Sequence, residues 1–97
     1  MFIVREVLIA KPGQAGKLAK LMKEAMAIMR NGKSRVLLDF VTDFNKIVIE
    51  HEVESLEEFE REMNEYKNNP NLELMEKMKG YTDLYQTGYR EIYKVVE

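Results

Sequence analysis

Ninety-seven residues carrying a formal net charge of −2 are enough for one folded unit and leave no room for a second core. The 15 basic and 17 acidic side chains nearly balance, without a Lys/Arg cluster, which argues against nucleic acid as a partner. Absence of cysteine excludes disulfides and thiolate chemistry, and a single histidine is too few for an all-protein zinc site, so no metal or cofactor is expected. The chain therefore reads as a single domain over residues 1–97. Its opening apolar run, Phe2-Ile3-Val4, is broken at once by Arg5 and Glu6. It is too short and too charged for a signal peptide or a membrane span, so a cytoplasmic protein with no membrane partner is expected.

Phe2 to Ala10 has the pattern of a strand with two apolar faces, Phe2, Val4 and Leu8 on one and Ile3, Val7 and Ile9 on the other. Lys11-Pro12-Gly13 ends it. A helix follows from Gln14, with Leu18, Leu21, Met22, Ala25, Met26 and Met29 on one stripe and Arg30 among the residues outside it, and Asn31-Gly32 supplies its stop. Val36–Val41 and Ile47–Val53 read as two strands of a hairpin joined by Thr42-Asp43-Phe44-Asn45. Ser55 and Glu58 form a capping box, which starts a second helix running to about Lys67 with Leu56, Phe59, Met63 and Tyr66 as its buried stripe. After Asn68-Asn69-Pro70, with Asn69 as cap and Pro70 at the first helical position, a short helix carries Leu72, Met75 and Met78 to Gly80. Tyr81 to Gly88 reads as a loop, and Tyr89 to Val96 as the last strand.

The order is βαββαβ with a small extra helix. Two right-handed crossovers on an antiparallel sheet predict an α+β, ferredoxin-like sandwich with strand order 4-1-3-2 and helices on one face. In the first two strands the opposite face cannot be polar, because both alternating sets are apolar. A soluble chain avoids exposing such a face, and packing two sheets together in a two-fold homodimer is the simplest cover.

Three stretches carry a more specific resemblance: the first strand running into Lys11-Pro12-Gly13, the segment Glu52-Val53-Glu54-Ser55-Leu56-Glu57-Glu58-Phe59, and the closing Gly88-Tyr89-Arg90-Glu91-Ile92-Tyr93. Together they resemble the dimeric α/β-barrel superfamily, and within it the chain is similar to the NIPSNAP-like and antibiotic-biosynthesis-monooxygenase-like small domains. The resemblance implies a dimer whose two sheets form a barrel, with ligand cavities between sheet and helices. That superfamily includes cofactor-free monooxygenases, haem-degrading enzymes, isomerases and effector-binding modules, so the fold does not choose an activity. Its haem-degrading members use a tryptophan and a helix histidine. This chain has no tryptophan, and its histidine falls on a strand.

Polar residues interrupt all four predicted strands near their middles, at Arg5-Glu6, Asp39, Glu50-His51-Glu52 and Arg90-Glu91. Charges in a covered layer need partners, and two readings stand open: a polar pocket floor, or ion pairing across the sheet and dimer seam. Histidine is the residue type suited to proton shuttling near neutral pH, and His51 is the one histidine of the sequence. It is the candidate catalytic residue, with Arg5, Asp39 or a tyrosine as its expected partner, since Glu50 and Glu52 point to the other face. Tyr66 and Tyr85 are candidates for a pocket mouth, and Met22 and Met26 for an adaptable apolar wall or plain core. The function expected is binding of a small apolar or aromatic molecule between sheet and helices, with cofactor-independent, monooxygenase-like or proton-transfer chemistry at His51. The alternative is a ligand-sensing or assembly module without catalysis.

Overall fold

The computed structural model describes residues 1–29, 33–42 and 44–97. The expectations for Arg30, for the Asn31-Gly32 helix stop and for Asp43 in the hairpin turn lie outside the described residues. Along the chain come β1 (Phe2–Ala10), α1 (Ala15–Met29), β2 (Ser34–Leu38), β3 (Lys46–Val53), α2 (Leu56–Asn68), α3 (Leu72–Lys77), a 3₁₀ turn at Tyr81–Asp83, and β4 (Tyr85–Lys94). The strands form one antiparallel sheet in the order β2-β3-β1-β4. This is the predicted ferredoxin-like arrangement, α+β with a four-stranded antiparallel sheet.

Register decides which residues share a face. Val4 lies opposite His51 on β3 and Ile92 on β4, and Arg5 lies opposite Glu50 and Glu91. Directly opposed residues project to the same side, and neighbours along a strand to opposite sides. One face therefore presents Val4, Glu6, Leu8, Ile49 and His51. The other presents Arg5, Val7, Val48, Glu50 and Glu91. The helices pack on the first. Leu18, Met22 and Ala25 are the buried residues of α1, and Leu18 and Met22 close with Ala10, Ile47 and Ile49 into the core cluster. The pairing of Lys77 with Glu24 ties α3 to α1 and holds the Glu24 carboxyl below its usual range.

Several boundaries differ from the sequence reading, each for a local reason. β2 starts at Ser34 and ends at Leu38, short of the predicted Val41. After the Asp39 amide bonds the Lys46 carbonyl at 3.1 Å, the ladder stops. The return passes through Phe44 and Asn45 in left-handed backbone, with φ of 89° and 56°, leaving Phe40 and Val41 in solvent. β4 starts at Tyr85 rather than Tyr89, running through the segment expected to be a loop, and stops at Lys94 rather than Val96. Gly88, the last residue of that expected loop, lies inside the strand at a close approach: a Cβ there would lie 2.8 Å from Leu8 Cδ2 and 3.0 Å from the Val7 carbonyl oxygen. At the third helix the cap is Asn71, whose Oδ1 accepts the Leu74 amide at 3.0 Å. Asn69 instead closes α2, its amide bonding the Glu65 carbonyl, and Pro70 precedes α3 rather than opening it.

α2 begins as predicted. Ser55 Oγ accepts the Glu58 amide at 3.1 Å, and Glu58 Oε2 turns back to accept the Glu54 amide at 2.6 Å. Ser55→Ala should lower the free energy of unfolding by about 1 kcal/mol. A urea-denaturation midpoint unchanged from wild type would show that tertiary contacts alone hold the start of this helix. The expected burial of Leu56, Phe59, Met63 and Tyr66 is not observed: no residue of α2 is buried. The helix stands off the sheet, and the gap it leaves is the site described next.

Candidate functional site

A cavity of about 260 Å³ separates the sheet from α2. Its floor is Val4 and Ile49 from β1 and β3, and α1 contributes Ala25 and Met26. Phe59, Met63 and Tyr66, the apolar stripe of α2, form its roof. Helical spacing set that stripe, and the offset of the helix turns it into a wall of the cavity. The volume lies near the lower edge of small-molecule sites, enough for a compact ring compound.

The polar end of the cavity is built on His51, whose side chain is 15% exposed. Ser34 Oγ lies 2.8 Å from Nδ1, and Glu62 Oε2 lies 2.8 Å from Nε2. A carboxylate can only accept, so in the neutral ring Nε2 carries the hydrogen and donates it to Glu62. Nδ1 is left with its lone pair and accepts the Ser34 hydroxyl hydrogen. Three elements supply this chain of hydrogen bonds. Ser34 sits directly opposite His51 in the β2–β3 register, and Glu62 comes from the roof helix. All three side chains line the cavity. Farther along the same sheet face Glu6 pairs with Arg90, whose guanidinium carbon stands 5.2 Å from the centre of the Phe59 ring. This is a second polar attachment between sheet and α2.

The remaining sequence candidates divide by position. Tyr66 and Met26 line the cavity with His51. Met22 is buried in the core cluster, and Tyr85 packs against that cluster beside Tyr81, ring centres 5.7 Å apart. Burial and the neighbouring Tyr85 push the Tyr81 phenol above its usual pKa. Asp39 lies at the far end of the hairpin, accepting the Thr42 hydroxyl at 2.7 Å. Arg5 is on the opposite face of the sheet from His51. It stands 3.4 Å from Glu91 Oε1, and its Nε is 3.6 Å from Glu50 Oε2, an electrostatic contact too long for a hydrogen bond. Arg35 approaches Glu50 Oε1 with Nε and Nη2 at 3.1 and 2.8 Å, and the Tyr93 hydroxyl donates to Glu91 at 2.8 Å, which raises the Tyr93 pKa.

The polar interruptions therefore do not converge on one zone: Glu6 pairs with Arg90 and Asp39 stays in the hairpin turn. Arg5, Glu50 and Glu91 are paired across the outer face, and His51 belongs to the cavity. Its partners Ser34 and Glu62 were not foreseen. Ser34 precedes the predicted second strand, and Glu62 lies 11 residues past His51 on the next helix. Strand alternation could have found Ser34 had the hairpin register been known. Among the described residues, no group of three or more His, Asp or Glu side chains is arranged to hold a metal ion, and no helix is long and apolar enough to cross a membrane.

No family model matches the chain, and no curated protein matches its sequence. Solved structures share its fold. A NIPSNAP family protein from Agrobacterium tumefaciens is 12% identical with a TM-score of 0.80, over 100% of this chain and 95% of that one. A NIPSNAP-like domain protein from Burkholderia xenovorans is 21% identical with a TM-score of 0.75, over 98% and 84% of the two chains. A candidate antibiotic biosynthesis monooxygenase from Chloroflexus aurantiacus is 16% identical with a TM-score of 0.69, over 99% and 93%. At these identities the likeness is one of fold, and at that level the resemblance carried by Lys11-Pro12-Gly13, the Glu52–Phe59 segment and the Gly88–Tyr93 close is borne out.

Proposed function

We propose that the protein binds a small apolar or aromatic molecule between sheet and α2, as a cytoplasmic homodimer, and that His51 acts on that molecule in cofactor-independent proton-transfer or monooxygenase-like chemistry. The observation that carries the reading is the apolar cavity with one hydrogen-bonded histidine at its polar end. A compact phenol fits this combination, its ring against Met26, Phe59 and Met63 and its hydroxyl toward His51. A fold neighbour described as a candidate antibiotic biosynthesis monooxygenase is in keeping with the monooxygenase-like reading.

Calorimetric titration with p-cresol and with toluene tests the reading. Both should bind, and His51→Leu should weaken p-cresol by about tenfold, or 1.4 kcal/mol, while sparing toluene. Absence of heat from both ligands would remove the cavity as a binding site.

The dimer rests on the outer sheet face. The helices lie on the other side, and on the outer face Tyr89 is 49% exposed and Leu37 half-buried over Val7 and Val48, which are already buried within the chain, beside the Arg5–Glu50–Glu91 group. Placing a cation on that face, as in Tyr89→Arg, should convert a dimer to a monomer in sedimentation equilibrium at micromolar concentration. A wild-type chain that sediments as a monomer would overturn the pairing.

One observation favours the alternative, a sensing or assembly module without turnover. Both ring nitrogens of His51 are already engaged, and the contact with Glu62 ties α2 to the sheet. On that reading His51→Ala lowers stability, and no substrate is consumed by the wild type.

A further inference from the structure

We infer that Ser34, activated by His51 and Glu62, is the nucleophile of an acyl-transfer centre that hydrolyses small esters with an apolar or aromatic part. The inference rests on the cavity being a binding site, as proposed above, and names the class of substrate it would turn over. A nucleophilic hydroxyl needs a base within hydrogen-bond reach and a third group that orients the base. Ser34 Oγ to His51 Nδ1 and His51 Nε2 to Glu62 Oε2, each 2.8 Å, meet both conditions. With Glu62 fixing the hydrogen on Nε2, the lone pair on Nδ1 is aimed at the serine.

The strand register explains why the serine is held so close. The Glu52 amide bonds the Lys33 carbonyl at 3.3 Å, so Lys33 and Glu52 are a hydrogen-bonded pair. The next pair, Ser34 and His51, is of the other type, in which opposed side chains approach most closely. The same alternation turns the Ser34 amide N–H away from β3 toward the outer edge of the sheet.

In the reaction Ser34 Oγ bonds to the ester carbonyl carbon while its proton passes to Nδ1, and the carbonyl π pair moves onto oxygen. The imidazolium is stabilised by its Nε2–H bond to Glu62. Collapse of the tetrahedral species breaks the ester C–O bond, and the departing alcohol or phenol takes the proton from Nδ1. Water then gives a proton to Nδ1 and attacks the acyl-serine. Serine leaves with that proton, and one ester and one water have become one acid and one alcohol.

The test is covalent labelling of the 97-residue chain with a fluorophosphonate, read by intact mass and peptide mapping, together with release of 4-nitrophenol from 4-nitrophenyl acetate. The expected result is one adduct per chain, on Ser34, absent in Ser34→Ala. Labelling should be slowed about 100-fold or more in His51→Gln. Glu62 is a positioning residue: Glu62→Gln should slow labelling and change its pH–rate profile, which loss of a purely structural tie would not do. Bound p-cresol should protect the serine.

If p-cresol binds but no adduct forms on wild-type protein, or the adduct maps to another residue, the Ser34 assignment is overturned and the binding reading survives. If Ser34 is labelled while p-cresol neither binds nor protects, the nucleophile stands and the cavity is not its substrate site. Labelling of the wild type needs no variant to fold.

Discussion

Leu18→Ala is expected to lower the free energy of unfolding by roughly 2–5 kcal/mol. Leu18 is wholly inaccessible and packs from α1 onto Ala10, Ile47 and Ile49, where the central strands meet the helix. Truncation removes transfer energy and leaves a hole that β1 and β3, locked by their mutual ladder, cannot close. Domains of this size hold about 5–15 kcal/mol in total, so a large part of the stability is at stake. At about 4–8 °C per kcal/mol, the melting temperature should drop by at least 8 °C or so. Leu56→Ala is the control: Leu56 is 49% exposed, and its loss should change stability by less than about 1 kcal/mol. Equal losses at the two positions in thermal melts would mean that the core is not centred on α1 and the central strands.

The second large effect concerns the cavity. Ala25 is 1% exposed and lines it from α1, so Ala25→Leu directs three further carbons into the space a ligand would use. p-Cresol affinity should fall by about 100-fold or more, near 2.7 kcal/mol. The melting temperature should stay within a few degrees of wild type, because the added side chain enters a void rather than a filled core, where overpacking costs about 1–3 kcal/mol. Titration calorimetry and a thermal melt on the same sample separate the two quantities. Unchanged affinity would put the ligand elsewhere on the molecule, and lost affinity with a collapsed melt would mean that the region is filled in solution.

Much of the architecture was legible because it is written in local chemistry. The apolar run of β1, the single stripe of α1 and the Ser55–Glu58 cap each act within a few residues, and together they limit the topology to very few choices. What escaped depends on distance or on absence. The exposure of the α2 stripe could not be read from its spacing, which is the same for a helix seated on a sheet and for one standing off it. Gly88 and Asn69 carry turn-forming identities but serve other ends, a close contact with Leu8 and the close of α2. The partners of His51 lie 17 residues before it and 11 after it, and only register and helix placement bring them together. Arg5 was assigned to the wrong company for the same reason. Strand alternation settles its face, and cross-strand pairing with Glu50 and Glu91 settles its partners.

The attachment of α2 has a kinetic consequence. The helix is fastened by a serine cap, a carboxylate on His51 and a ring beneath Arg90, with no buried side chain of its own. Lifting it uncovers the cavity lining but leaves the contact of α1 with the sheet in place, so its opening free energy is expected to be below that for the whole molecule. The amides of α2 are then expected to exchange with solvent ahead of those of β1 and β3. The side of the proposed binding site formed by Phe59, Met63 and Tyr66 is therefore expected to move with α2.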